Sequence, residues 1–454
     1  MVATGFFAYK AKVHQGGDMP AALAIIGGRL IDGTGRPPVD NVVILVEDGR
    51  IQNVFPAAEA IIPKGAQVLD AHDSTILPGL IDCSVNLMIG SGGAAASPRE
   101  FMPDRTTRDL RACLYWGNTT IHSTGDPLQQ ITRLRDSERG GLILSPRLYV
   151  VGPIFTAVGG YPALFLPPMI AADATRQLKD AEQAREAVRA VAADDVTMIE
   201  VVYDGGREAS RYPKLSLQLL AEVTEQAHQS GLKVLAHVGT VSDLKEAIGA
   251  GVDAIEAGPS DALDAEAIQL MIERGIYYGS GLSARHSRAL SVEQVDRLLA
   301  NEDVRRSVSA QVREGLENHA GYFFELKQDP ALMNYFLKTS ETNQKNLLLA
   351  SQSGVKVFLG TGGGDPTVFY GYSLHDELGM MVDSGLSPAQ ALAASTGTAA
   401  EFLGISDLLG TVEVGKLADI LIIDGDPLQD ISVTRKIKQI IKGGRIIDRG
   451  HLFQ

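Results

Sequence analysis

The sequence predicts an α/β fold: a (β/α)8 TIM barrel carrying a small β-sandwich domain built from both ends of the chain. Three observations lead there. Between residues 76 and 405, short apolar runs alternate with longer helix-patterned stretches, the pattern of parallel strands joined by helices. The two ends share a different pattern, β-branched runs punctuated by glycine pairs: Gly27-Gly28-Arg29 near the start and Gly443-Gly444-Arg445 near the end. The 454 residues are enough for one large barrel and an accessory domain.

Residues 1–20 lack a basic region ahead of their apolar piece and a clear cleavage site after it, so they read as a flexible extension rather than a signal peptide. Residues 21–75 and 406–454 form the expected composite β-domain, in which Gly-Gly-Arg and Asp48-Gly49-Arg50 are hairpin signals. Residues 76–405 form the barrel. Its strands are expected near Ile76–Ile81, Thr119–Ile121, Arg147–Val151, Met198–Val202, Val234–Ala236, Ala254–Glu256, Ile276–Tyr278 and Val355–Leu359. Helices are expected near Arg105–Tyr115, Thr175–Ala192, Leu215–Gln229, Asp243–Ala250 and Asp264–Glu273. The long gap before the eighth strand reads as a helical insertion, about 285–352. Beyond that strand, Leu374, Leu378 and Met381 share one helical face, and Ser387-Pro388 opens a further helix.

Composition removes several functions. The net charge of −14 argues against a nucleic-acid partner, because nothing supplies broad counterion release. No apolar run reaches membrane-spanning length. Two cysteines, Cys83 and Cys113, make neither a disulfide framework nor a four-cysteine zinc site, which leaves a cytoplasmic location as the default. The triple glycine of Leu359–Asp365 lacks the following Lys-Ser/Thr of a phosphate loop.

In a barrel of this kind, chemistry collects where the strands end. Those ends offer Ser84 and Asn86, Glu200, His237, Glu256 then Ala257, and the glycine run after the eighth strand. The blocks LPGLID (77–82), WGNTTIHSTGD (116–126), SPRLYVVGP (145–153), LKVLAHVG (232–239), AGVDAIEAG (250–258) and FLGTGGG (358–364), with the tail from Thr396 to Leu428, resemble the amidohydrolase superfamily. The similarity is to its imidazolonepropionase-like and prolidase-like branch and covers nearly everything after residue 20.

That resemblance implies one or two divalent metals, such as zinc, activating water for C–N bond hydrolysis. It also implies their ligands: a His-x-His at positions 84 and 86, a lysine at 200, histidines at 237 and 257, and an aspartate at 362. Here those positions hold Ser84, Asn86, Glu200, His237, Ala257 and Gly362, so one ligand survives cleanly. His237 and Glu200 supply two donors, short of a tight zinc site, so no metal and no other cofactor is expected.

The expected catalytic pair is then His237 with Glu200 on the neighbouring strand, acting as general acid and base in hydrolysis, elimination or isomerisation. Ser84 and Asn86 are expected to donate hydrogen bonds near the same centre. Tyr161 and Tyr203 add phenolic groups, His122 faces the pocket, and Arg285 with His286 binds an anionic substrate group. Asp365 is placed to swing in on the glycine run. The loops after strands one, three and seven are mostly small and apolar, which predicts a small, mainly apolar substrate. Two other readings stay open: a silent binding or regulatory subunit paired with an active relative, and a metal hydrolase with rearranged ligands His237, Glu200, Asp365 and His122. The resemblance implies a homo-oligomer.

Overall fold

A computed structural model describes residues 22–88, 103–207, 210–319 and 322–453. The expected extension 1–20 and most of the loop after the first barrel strand (90–105) lie outside the described residues.

The two ends of the chain form one eight-stranded sheet. Its N-terminal strands are Leu23–Leu30, Val39–Glu47, Arg50–Pro56, Gln67–Asp70 and Ser74–Pro78, and its C-terminal strands are Ile420–Asp424, Ile437–Lys442 and Arg445–Ile447. The seam is antiparallel, with Ile76 opposite Ile422 and Leu77 opposite Leu421. Side chains alternate as strand geometry requires. Leu23, Ile25, Val42, Ile44, Ile420 and Ile422 pack on one face, and Ala24, Val43 and Leu45 on the other.

The eight strands follow one continuous hydrogen-bonded order, and the sheet folds back on itself into the expected sandwich-like domain: the Asp48-Gly49 turn at one edge meets the Gly443-Gly444 turn at the other, with Ala418 N–H donating to the Gly49 carbonyl and Gly444 N–H to the Ala418 carbonyl. The first strand changes partners along its length. Its N-terminal half pairs with Gln67–Asp70 and its C-terminal end with Ser74–Pro78, with register shifts around Gly28 between them. Gly27-Gly28-Arg29 is therefore an irregularity inside a strand, not a hairpin turn. Asp48-Gly49 and Gly443-Gly444 are true two-residue turns, all four residues at positive φ, closing on Glu47 opposite Arg50 and Lys442 opposite Arg445.

The barrel strands are Leu80–Val85, Asn118–Ser123, Arg147–Val150, Met198–Tyr203, Lys233–Val238, Ala254–Ile255, Tyr277–Gly279 and Lys356–Phe358. Their neighbours pair in parallel. Backbone hydrogen bonds complete the ring: Thr197 N–H donates to Val150 and Cys83 N–H to Leu359, each at 2.9 Å. The stretch expected as a single strand over Ile76–Ile81 is divided at Gly79. Residues before it join the composite sheet; residues after it start the barrel. A Cβ at Gly79 would stand 2.0 Å from the Thr119 hydroxyl, so glycine is needed for the chain to cross there.

Thr175–Leu178, expected as the start of a helix, is a short strand, and the helix begins only at Ala181 behind the Asp180 N-cap. The insertion is helical over Val292–Ala300, Glu302–Ser307, Ala310–Glu317, Tyr322–Leu326 and Pro330–Gln352. Its forerunner Leu282–Ala289, read from sequence as part of a loop, is also a helix. Inside the barrel, Met198, Leu235, Ala254 and Phe358 cluster with Phe402 from the helix Gly397–Leu403; the Phe358 and Phe402 rings stack at 4.0 Å. No helix among the described residues is long and apolar enough to cross a membrane.

His375, on the helix Tyr372–Asp383, joins barrel to composite sheet. Its Nδ1 lies 2.9 Å from the Thr434 hydroxyl and its Nε2 2.9 Å from the Trp116 carbonyl. Burial, reinforced by the charges of Arg435 and Arg449, pushes the ring down to about 3. The unfolded chain takes up a proton near pH ~6.5 that the folded state refuses. This contribution to stability is therefore full above that pH and is lost as pH falls toward about 3. His375→Gln is expected to flatten the fall of the urea midpoint between pH 6.5 and 4.5. An unchanged slope in the variant contradicts this account.

Candidate active site

The site is a small cavity of about 80 Å³ at the strand ends. Ser84, Asn86, Tyr161, His237, Glu256, Arg285, Arg288 and Asp365 supply its functional lining, with Ala257, Gly281, Ala284, Gly360 and Gly362 filling the walls. Asp82 anchors the rim, accepting both the backbone N–H and the hydroxyl of Thr361 and tying the first strand to the glycine run.

Glu256, one residue beyond the sixth strand, is the hub. It accepts a hydrogen bond from the Ser84 hydroxyl at 2.9 Å, lies 3.4 Å from the Thr124 hydroxyl, and stands 3.5 Å from His237 Nδ1. Burial alone would raise this carboxyl; the His237 ring and the two hydroxyls outweigh it and hold Glu256 below its ordinary range. Its ionised form is thus the resident one. The other ring nitrogen of His237, Nε2, is 3.8 Å from Asp204, beyond hydrogen-bond reach, and remains for a substrate. Tyr161 stacks on the His237 ring at 5.7 Å, and Tyr212 stacks on Tyr161 while donating to Asp204 at 2.7 Å.

Several expected roles move. Glu200 does not pair with His237: no hydrogen bond or ion pair joins them. Register explains this, because His237 lies opposite Val202 while Glu200 lies opposite Leu235, two residues deeper. Burial first, then the negative charges of Glu256 and Asp126, push Glu200 well above its ordinary range, and its Oε2 has no hydrogen-bond partner among the described residues. Glu200 lies under the site, and the carboxylate at the ring is Glu256.

Tyr203 does not reach the cavity. It lies three residues from Glu200, hence on the outer face of the strand, and its hydroxyl donates to Glu246 at 2.6 Å. His122 is buried below the cavity, between the Cys83 carbonyl, the Thr197 hydroxyl and the Phe402 ring, and burial pushes it down to about 4. His286, next to Arg285 on a helix, points away from the cavity toward Lys327, and burial and that charge lower it.

Ser84 and Asn86 do line the cavity, but both are committed: Ser84 to Glu256, and the Asn86 amide to the Thr124 carbonyl. Asp365 is held by Arg288 at 3.3 Å rather than swung toward His237. The lining is also more polar than the loop sequences predict. Their apolar members Leu164, Phe165 and Met169 face outward, 56%, 57% and 84% exposed, while Tyr161 and the arginines face inward.

Glu256 stood among the strand ends read from sequence but was given no role, and Asp204 and Arg288 are the residues that sequence reasoning missed. Asp204 continues the inward alternation of Glu200 and Val202, and Arg288 follows Arg285 by three on a helix, so both carried a periodic signal.

A closed barrel, a flanking composite sheet and a polar cavity at the strand ends together define a TIM-barrel protein with a candidate active site at the C-terminal ends of its strands. More narrowly, the chain belongs to the amidohydrolase family, whose model matches residues 75–447. Ochratoxinase of Aspergillus niger is 25% identical over 467 aligned residues, covering 93% of this chain and 86% of that protein. Imidazolonepropionase of Sphingopyxis alaskensis is 26% identical over 431 residues, covering 86% of this chain and 88% of that protein. Among solved structures, a Xaa-Pro dipeptidase with bound methionine superposes with a TM-score of 0.74 at 24% identity, covering 94% of this chain and 100% of that one.

The residues present do not fit the metal centre implied by the family. Among the described residues, no three His, Cys, Asp or Glu side chains are grouped to hold an ion. The set His237, Glu200, Asp365 and His122 does not converge, because His122 and Glu200 lie below the cavity and Asp365 is bound to Arg288. Two positions at which the resemblance implies ligands, 257 and 362, carry no donor side chain. A Cβ on Gly362, which sits at φ +69°, would meet the Ala284 methyl at 2.7 Å. A Cβ on Gly281 would meet the Ala257 methyl at 2.7 Å, so the helix start closes against the strand-six position. A side chain at 362 has no room without shifting that helix, whereas Ala257 lines the cavity.

Proposed function

We propose that the protein hydrolyses a C–N bond, of amide or cyclic-amide type, in a small organic molecule by acid–base catalysis centred on His237 and Glu256 and independent of a resident metal. The observation that supports this most directly is the ionised Glu256 beside His237 Nδ1, with Nε2 left for the reacting groups. Glu256 fixes the ring and stabilises the imidazolium that forms during reaction. Water attacks the carbonyl carbon and its proton passes to Nε2. The C–N bond then breaks, and the same proton passes to the departing nitrogen. Gly362 also supports the reading, since a side chain there meets the Ala284 methyl and has no room to reach the cavity as a ligand.

Turnover is expected on some member of a panel of small amides and lactams. On that substrate, Glu256→Gln is expected to lower kcat by roughly 10²-fold or more with a much smaller change in KM. Undiminished kcat in the variant contradicts the role of Glu256. A panel without turnover, together with a stable hetero-complex in a native pull-down, supports the silent-subunit reading in its place.

A further inference from the structure

His237 stands between two carboxylates. Its Nδ1 faces Glu256 at 3.5 Å, and its Nε2 faces Asp204 Oδ2 at 3.8 Å. The second separation is too long for a direct hydrogen bond, but a single water can bridge it from about 2.8 Å on each side. Both side chains remain partly open to solvent, so a water can reach the two atoms.

The fold sets this separation through several contacts. Asp204 follows the barrel strand Met198–Tyr203 and continues the inward alternation of Glu200 and Val202. Its Oδ1 accepts the Gly206 N–H at 2.7 Å, and its Oδ2 accepts the Tyr212 hydroxyl at 2.7 Å. A Cβ on Gly239, two residues past His237, would clash with Oδ1, so the carboxylate reaches this place because a glycine follows the fifth barrel strand. Tyr212 stacks on Tyr161, and Tyr161 stacks on the His237 ring. The phenol that anchors Asp204 thus belongs to the stack that fixes the imidazole. Burial first, then the Asp204 charge, push the Tyr212 phenol far above its ordinary range, so it stays the donor. The contacts that fix carboxylate and ring also hold them apart. A carboxylate offers about four acceptor sites, and these two bonds leave Oδ2 one lone pair for a further donor.

We propose that Asp204 is a water-positioning residue: together with His237 Nε2 it holds the water that attacks the substrate. One O–H of that water donates to Asp204 and the other to Nε2, which leaves the oxygen lone pairs for the carbonyl carbon. As the C–O bond forms, the proton on the Nε2 side passes to the ring and later to the departing nitrogen. The other hydrogen stays on oxygen, hydrogen-bonded to Asp204, and leaves with the product carboxyl, so Asp204 ends the cycle as it began. The proposal places the nucleophile for the hydrolytic reading above and rests on it.

The first test needs no turnover. A high-resolution crystal structure of the full chain is expected to show an ordered water within about 3.2 Å of both Asp204 Oδ2 and His237 Nε2. No water within that reach of both atoms, or Asp204 bonded directly to Nε2, overturns the proposal whatever becomes of the hydrolytic reading. On the substrate found in the amide panel, Asp204→Ala is expected to lower kcat roughly 10–100-fold, with KM within about twofold, as a misplaced reactant does. Added formate is expected to restore several-fold of that loss, which a merely structural role would not allow. If Asp204→Ala does not fold, Asp204→Asn keeps the size and the bond from Gly206 but presents an amide N–H to the water, and the same fall in kcat is expected. Wild-type kcat in a folded variant overturns the proposal, and inactive His237→Ala and Glu256→Gln beside it leave the hydrolytic reading standing. An ordered water with no turnover on any panel member overturns that reading and the attacking role together.

Discussion

His237→Ala is expected to lower turnover by roughly 10²–10⁴-fold, the range of a lost general acid–base group. The effect is large because the proposed proton transfers all run through the Nε2 of this ring. Glu200 lies deeper, Asp365 is paired with Arg288, and Ser84 and Asn86 are already donating. The fold should survive. The His237 side chain is 23% exposed, and Glu256 keeps the Ser84 hydroxyl as a donor when the ring is gone. A melt within a few degrees of wild type, together with activity reduced to near background, is the expected pair of results. Wild-type turnover in the variant contradicts the assignment of His237.

Asp419→Ala is expected to cost about 3–5 kcal/mol of stability, as removal of one partner from a buried ion pair typically does. Arg147, on the third barrel strand, meets Asp419 through two parallel contacts of 2.9 Å, with the side chains 11% and 3% exposed. Asp419 also accepts the Gly443 N–H at 2.7 Å in the Gly443-Gly444 turn. One carboxylate thus ties barrel to composite sheet. Burial would raise it, but Arg147, Lys442 and the Gly443 N–H win and hold it below its ordinary range. The sign follows. The pair contributes fully above the ordinary carboxylate range, near pH ~4, and is lost as pH falls through the lower value of the folded state. Denaturant titration at neutral pH and in acid checks both parts: a large loss in Asp419→Ala at pH 7 that shrinks in acid. A loss under about 1 kcal/mol at pH 7 would mean the pair acts like an exposed one.

Much of the fold could be read directly from residues. The buried parallel strands are short apolar runs that stand out against helical stretches, and Ser387 marks a helix start by its capping chemistry. What could not be read depended on contacts between distant segments. Ile76–Ile81 looks like one strand because both halves are apolar, and only the close pass of Gly79 by Thr119 divides it. Gly27-Gly28 and Gly443-Gly444 are alike in sequence, but the first lies within a strand that changes partners.

The site was legible in outline and misassigned in detail. Position 200 draws attention because the resemblance implies a lysine there, yet depth along the barrel, set by strand register, gives the contact with His237 to Glu256. Helical spacing would have selected Arg288 with Arg285 and set His286 aside, had the segment been read as helix rather than loop.

The claim of catalysis without a resident metal is tested most directly by elemental analysis of the purified protein, coupled to assays before and after exhaustive chelation. The account predicts less than one-tenth equivalent of zinc or other divalent transition metal per chain and unchanged turnover after chelation. Stoichiometric metal, with activity lost on chelation and restored by adding the ion back, would contradict it.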